Sequence, residues 1–220
     1  MTKYYWCDEK TKKKKEEEES VTEGPTPIIF MGDPGGGPPD NCVDVLDNTI
    51  MFYGEVDEKN AKSLNKSIRM LDKELQIFKL KYGCDSPPLK LFINSYGGSV
   101  FSGFSIMDTI KNCKTPVHSY VDGSAASAAT LISVVAKKRF IFANSFMLIH
   151  QLSSSMWGNY EAMKDEMENL DLIMDRIKKI YKEHTNMTTR QITAILKKDK
   201  WFEAEVCLEL GLVDEIVENG

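Results

Sequence analysis

A serine flanked by small residues, in the run Gly123-Ser124-Ala125-Ala126-Ser127-Ala128-Ala129, is the side chain of this sequence best suited to nucleophilic chemistry. Small neighbours leave a hydroxyl approachable, but a neutral hydroxyl attacks a carbonyl only when a nearby base takes its proton. Serine is also a favoured helix N-cap, and Ser124 reads as that cap, with Ser127 in the first helical turn. Both roles, nucleophile and helix-start residue, are open to Ser127 on this pattern alone. Three histidines could supply the base. His184 ends a long helical pattern, where a cation complements the helix C-terminus. His118 opens a strand and reads as a strand-edge residue. His150 closes the apolar run Phe146-Met147-Leu148-Ile149 and precedes a polar loop, the boundary at which reactive side chains leave a scaffold; a core or capping role is its alternative. A glycine pair in Asn94-Ser95-Tyr96-Gly97-Gly98-Ser99-Val100 is consistent with backbone amides closing on a negatively charged group at a helix start. A tight turn needing positive φ would use the same glycines.

The elements that must carry these residues follow from hydrophobic periodicity. Residues 48–54 read as a strand, and Leu64, Ile68, Leu71, Leu75 and Phe78 lie at helical spacing within 58–80. After Pro87-Pro88, residues 89–94 form an apolar run suited to a buried parallel strand. The glycine pair then opens a helix over 99–112 with Val100, Phe101, Phe104, Met107 and Ile110 inward. The unit repeats: a strand over 117–121, a turn at Gly123, a helix over 127–136, and short strands over 139–143 and 146–151. Residues 159–184 form a long amphipathic helix whose stripe is Met163, Met167, Leu170, Ile173, Met174, Ile177 and Tyr181. A Thr188-x-x-Gln191 capping box opens a helix to 198. A short helix over 203–210 stops at Gly211 before a last strand over 212–217. Repeated βαβ units imply an α/β fold.

Bulk composition narrows the function. With 42% hydrophobic and 28% charged residues, this is an ordinary globular composition. A net charge of −5 argues against a nucleic-acid-binding face. The five cysteines are scattered, with no C-x-x-C pair, so neither a metal site nor a disulfide framework is expected. The N-terminus is polar and lysine-rich, unlike a secretory signal, and no apolar run approaches the length of a bilayer span. A soluble cytoplasmic protein is expected. Residues 1–42 differ from the remainder: Lys12–Lys15 abuts Glu16–Glu19, and Gly35-Gly36-Gly37-Pro38-Pro39 follows without the Gly-Lys-Ser/Thr of a phosphate loop. They read as a flexible charged segment ahead of a folded domain over 43–220.

Four motifs in order carry a resemblance: Ile93 to Val100, Gly123 to Ser127, Met147-Leu148-Ile149-His150-Gln151, and Lys198-Asp199-Lys200-Trp201-Phe202 with Ala204, ending in Gly211-Leu212-Val213-Asp214-Glu215-Ile216. From about Val45 to Val217 the chain resembles the Clp protease proteolytic subunit, a spiral of βαβ units related in fold to crotonases. The resemblance implies Ser127 as nucleophile, His150 as general base and then acid, and Asp199 as the carboxylate that fixes the imidazole. It implies an oxyanion hole made by the backbone amides of Gly98 and Ala128. It further implies a homo-oligomer of two stacked heptameric rings with the long protruding helix between them, Ile173 and Met174 included. The chambers would take unfolded polypeptides from a separate AAA+ Clp ATPase, since this sequence holds no nucleotide-binding motif, and no cofactor is called for.

Departures accompany the match. Tyr96 stands where proline is commonest, Ala128 where methionine is commonest, and Leu152 where proline follows the His-Gln pair. Lys197-Lys198 replaces an acidic-basic pair that couples rings in relatives, and residues 1–42 lack the usual lead-in. Two rival functions are a crotonase-like acyl-CoA enzyme, which needs no Ser-His-Asp set, and a catalytically silent ring subunit, which would not need one intact.

Overall fold

A computed structural model describes residues 42–155 and 157–218. The expectation for residues 1–41 lies outside them. The chain enters through β1 (Val43–Leu46), which pairs antiparallel with β2 (Thr49–Tyr53) across a two-residue connection in which Asp47 takes φ 52°. Asp tolerates that left-handed conformation better than most residues. Helix α1 (Glu58–Tyr82) begins where the Asp57 carboxylate accepts from the Asn60 amide and stops at left-handed Gly83. It buries Leu64, Ile68, Leu71 and Leu75 as their spacing predicts, while Phe78 lies beyond the core edge and is exposed. Each such fully buried side chain stabilises the fold by about 1.5–3 kcal/mol.

Next come β3 (Leu89–Ser95), α2 (Val100–Lys111), β4 (Val117–Ala126), α3 (Ala128–Val134), β5 (Lys138–Phe142) and β6 (Phe146–Ile149). On α2 the inward face is Val100, Ile106, Met107 and Ile110; Phe101, expected inside, is exposed. Helix α4 (Tyr160–His184) is followed by α5 (Thr189–Leu196), β7 (Lys200–Phe202), α6 (Ala204–Glu209) and β8 (Glu215–Val217). The Thr188–Gln191 capping box opens α5 as read from sequence. The last strand is shorter than expected, because the Leu212 and Val213 amides donate back to Cys207 O of α6 and not to a neighbouring strand.

The described residues form one sheet in the order β1-β2-β3-β4-β5-β8, parallel from β2 onward, with β6 and β7 branching from β4. This is the α/β architecture expected from the repeated units. The helices pack in sequence, α1 on α2, α2 on α3 and α3 on α4. Along α4 the burial is uneven. Ile173, Ile177, Ile180 and Tyr181 are buried, whereas Tyr160, Met163, Met167 and Leu172 are exposed. Ile173 and Met174, expected at a contact between rings, face this subunit: Ile173 joins its core and the Met174 sulfur accepts from the Leu152 amide at 3.4 Å. Among the described residues no helix is long and apolar enough to cross a membrane.

Candidate active site

Strand β4 organises the site by changing partners along its length. His118 to Val121 pair with β5, while Ser124 to Ala126 pair with β6. The bend between the two halves falls at Gly123, whose φ of 85° favours glycine and whose added Cβ would lie 2.9 Å from the Asn94 amide. Gly123 is therefore a bulge inside a ten-residue strand, where the sequence suggested the strand's end. Two readings change with it. Ser124 is a strand residue whose hydroxyl donates to Asn94 at 3.1 Å, and it caps no helix. Ser127 precedes the first turn of α3, in the N-cap position, and makes no capping bond.

Ser127 has φ 60° and ψ −128°, a conformation that side chains rarely adopt. Such strain persists where the surroundings over-determine it and is concentrated at functional sites. The residue is 1% exposed, and its Oγ has no hydrogen-bond partner among the described residues. Its amide donates to Leu148 O at 2.8 Å, which ties it to β6 two residues before His150. Strand β7 then pairs antiparallel with β6, with Ile149 opposite Lys200. The next step of that register brings His150 and Asp199 together, and Asp199 Oδ1 lies 3.3 Å from His150 Nδ1. The register thus brings Ser127, His150 and Asp199 to the same end of β4, β6 and β7.

The imidazole side chain is 15% exposed and the carboxylate 81%. Burial lowers the His150 pKa from its ordinary 6.5; the Asp199 charge and hydrogen bond raise it but do not prevail. Solvent around Asp199 screens its charge, so desolvation of the imidazole decides the sign. His150 is consequently neutral near pH 7 and able to take a proton.

Facing Ser127 is the turn after β3. Gly97 has φ 95°, and a Cβ there would sit 2.6 Å from Ser127 Cβ and 2.7 Å from Ala126 O. Gly98 has φ 142°, and a Cβ there would meet Val56 O at 2.6 Å. Val56 pins this turn from both sides, its amide donating to Gly97 O and its carbonyl accepting from Ser99 N, both at 2.7 Å. Ala128 is the first residue of α3, so its N–H is one of those that a helix leaves without an intrahelical acceptor. Beside the turn, exposed Tyr96 packs edge-on against Trp201 of β7, ring centroids 6.1 Å apart.

The other histidines are elsewhere. His118 is the second residue of β4, so it opens a strand as read, and that strand is a central one, with Lys90 of β3 and Lys138 of β5 on either side. His184 closes α4 as expected. Among the described residues no three His, Cys, Asp or Glu side chains gather as they would around a metal ion. Sequence reasoning missed two residues that touch the Ser127 backbone indirectly or directly, Thr130 and Tyr181; the latter was read only as part of an apolar stripe.

The family model described as Clp protease matches residues 40–220. The chain is 33% identical over 177 residues to an ATP-dependent Clp protease proteolytic subunit of Streptococcus mutans, across 79% of this chain and 86% of that protein. It is 34% identical over 179 residues to ATP-dependent Clp protease proteolytic subunit 1 of Streptomyces avermitilis, across 80% and 78% respectively. A solved structure of a ClpP1 mutant from Listeria monocytogenes is similar with a TM-score of 0.67 and 29% identity, covering 79% of this chain and 92% of that one.

Proposed function

This chain belongs to the Clp protease family, and on that premise we propose that it is a serine endopeptidase with Ser127 as nucleophile, His150 as base and Asp199 as its orienting carboxylate. The observation that carries the assignment is the strand register that ties Ser127 to Leu148 and sets Asp199 3.3 Å from His150. Ser127 Oγ attacks the scissile carbonyl while His150 takes its proton, and Asp199 stabilises the imidazolium that forms. His150 returns the proton to the leaving amine. Water then attacks the acyl ester with His150 again as base, releasing the second product. The Gly98 and Ala128 amides stabilise the oxyanion, each such donor contributing on the order of 3 kcal/mol. Because Ser127 Oγ has no partner among the described residues, its bond to His150 forms on the way to the reactive complex, as catalytic hydrogen bonds often do.

The relatives' names speak of an ATP-dependent protease and of a subunit, which supports an oligomer working with a separate ATPase. We take the assembly to be two stacked heptameric rings, with an AAA+ Clp unfoldase feeding unfolded polypeptide. The exposed first half of α4, with Met163 and Met167, supports a contact between subunits there. We take residues 43–220 to be the peptidase domain, in keeping with the family match over 40–220. Among the described residues Cys84, Cys113 and Cys207 form no disulfide, which fits a reducing cytoplasm. Cleavage of a short fluorogenic peptide by the purified chain tests the reading: Ser127→Ala should abolish it and Ser124→Ala should keep it. Parent-like cleavage by Ser127→Ala would refute the assignment.

A further inference from the structure

Ser127 is held by its peptide groups, because its hydroxyl bonds nothing among the described residues. On one side its amide donates to Leu148 O of β6 at 2.8 Å. On the other its carbonyl accepts twice, from Thr130 N at 3.0 Å and from Thr130 Oγ1 at 2.6 Å. The first of these bonds is one that many residues at this place in a helix could make. The second needs a hydroxyl at position 130.

That second bond fixes the direction of the next. A carbonyl cannot donate, so the single hydroxyl proton of Thr130 is committed to Ser127 O. Thr130 Oγ1 also lies 2.5 Å from Tyr181 Oη, and this contact then has one polarity, with Tyr181 donating. Both side chains are fully buried. Burial pushes the Tyr181 phenol well up from its ordinary pKa, so it keeps the proton it donates. Tyr181 comes from the buried half of α4, beside Ile177 and Ile180.

We propose that Thr130 and Tyr181 are positioning residues for Ser127, joined in a directed chain from Tyr181 Oη–H to Thr130 Oγ1 and from Thr130 Oγ1–H to Ser127 O that holds the serine in its strained conformation. The strained residue is thereby clamped between β6 and α4, and the aim of its hydroxyl is set from the backbone. Neither residue touches substrate. The proposal rests on Ser127 being the nucleophile.

The test measures the rate of fluorophosphonate labelling and the kcat and KM for a short peptide. Removing one hydroxyl of a buried pair strands the other, whereas removing both with shape kept is close to neutral for stability. The informative variant is therefore the double substitution Thr130→Val with Tyr181→Phe, checked for parent-like melting and sedimentation. Its labelling rate and kcat should fall roughly three- to tenfold, the effect of one ordinary hydrogen bond, with KM changed by less than about twofold. Thr130→Ser, which keeps the hydroxyl, should restore the parent rate. Tyr181→Phe alone, losing one oxygen and no volume, should slow labelling measurably. Parent-like labelling of either the double variant or Tyr181→Phe would overturn the proposal, as would a Thr130→Ser variant as slow as the double one. Ser127→Ala serves as the control: labelling at the parent rate there would remove the nucleophile assignment itself.

Discussion

At the scale of single residues, the decisive relation is between a buried imidazole and an exposed carboxylate. In the proposed mechanism His150 must be neutral to accept the Ser127 proton, so activity should belong to the deprotonated form and be lost as pH falls through the His150 pKa. That midpoint should lie below 6.5, since burial lowers it. Asp199 pulls the pKa upward, so Asp199→Asn should shift an NMR titration of the His150 imidazole to still lower pH; a higher midpoint would mean that the carboxylate does not face Nδ1. Activity of that variant should drop by roughly 10²–10⁴-fold, because the tautomer is no longer fixed. The local settings of Ser127 and His150, small residues before a helix and the end of an apolar strand, made them candidates in the sequence, while their proposed roles came from the resemblance. Asp199 was legible only through resemblance, since it sits among lysines with no pattern of its own. Thr130 and Tyr181 were not legible as a pair, because 51 residues separate them and only the fold joins their hydroxyls.

At the scale of elements, the site depends on two glycine positions with different work. Gly123 lets β4 bend from β5 towards β6, and Gly97 lets the turn after β3 approach Ser127. Gly97→Ala would press a methyl against Ser127 Cβ and Ala126 O at separations that real atoms do not hold. It should destabilise the protein by about 1–3 kcal/mol or more, as overpacking does, and suppress peptide cleavage. Thermal unfolding alongside the peptide assay checks this, and a Gly97→Ala variant as stable and active as the parent would contradict the close approach. Long amphipathic helices were read well, since a period repeated over 25 residues is a strong signal in α1 and α4. The three-residue β7 was missed because three residues cannot display alternation, yet it carries the residues next to Asp199 into register. The length of β4 was underestimated because a glycine inside a bulge looks, in sequence, like a glycine in a turn.

At the scale of the whole molecule, α4 divides into a second half buried in this chain's core and an exposed first half, the part proposed to meet another subunit. Roughly 37 Å long at 1.5 Å per residue, it buries side chains only from Ile173 onward. The helical period could show the stripe but not where the subunit's own core ends along it. Met163→Glu and Met167→Glu should therefore leave folding intact and reduce the assembled fraction in sedimentation, since a charge placed in an apolar contact lacks a partner. Full assembly of the doubly charged variant would remove α4 from the interface. The central claim, that Ser127 is the nucleophile, is tested most directly by mapping the site of a fluorophosphonate adduct on the full-length protein by mass spectrometry. A single adduct is expected on the peptide containing Ser127, absent from Ser127→Ala and slowed in His150→Ala. An adduct on Ser124 or any other residue, or undiminished labelling of Ser127→Ala, would contradict it.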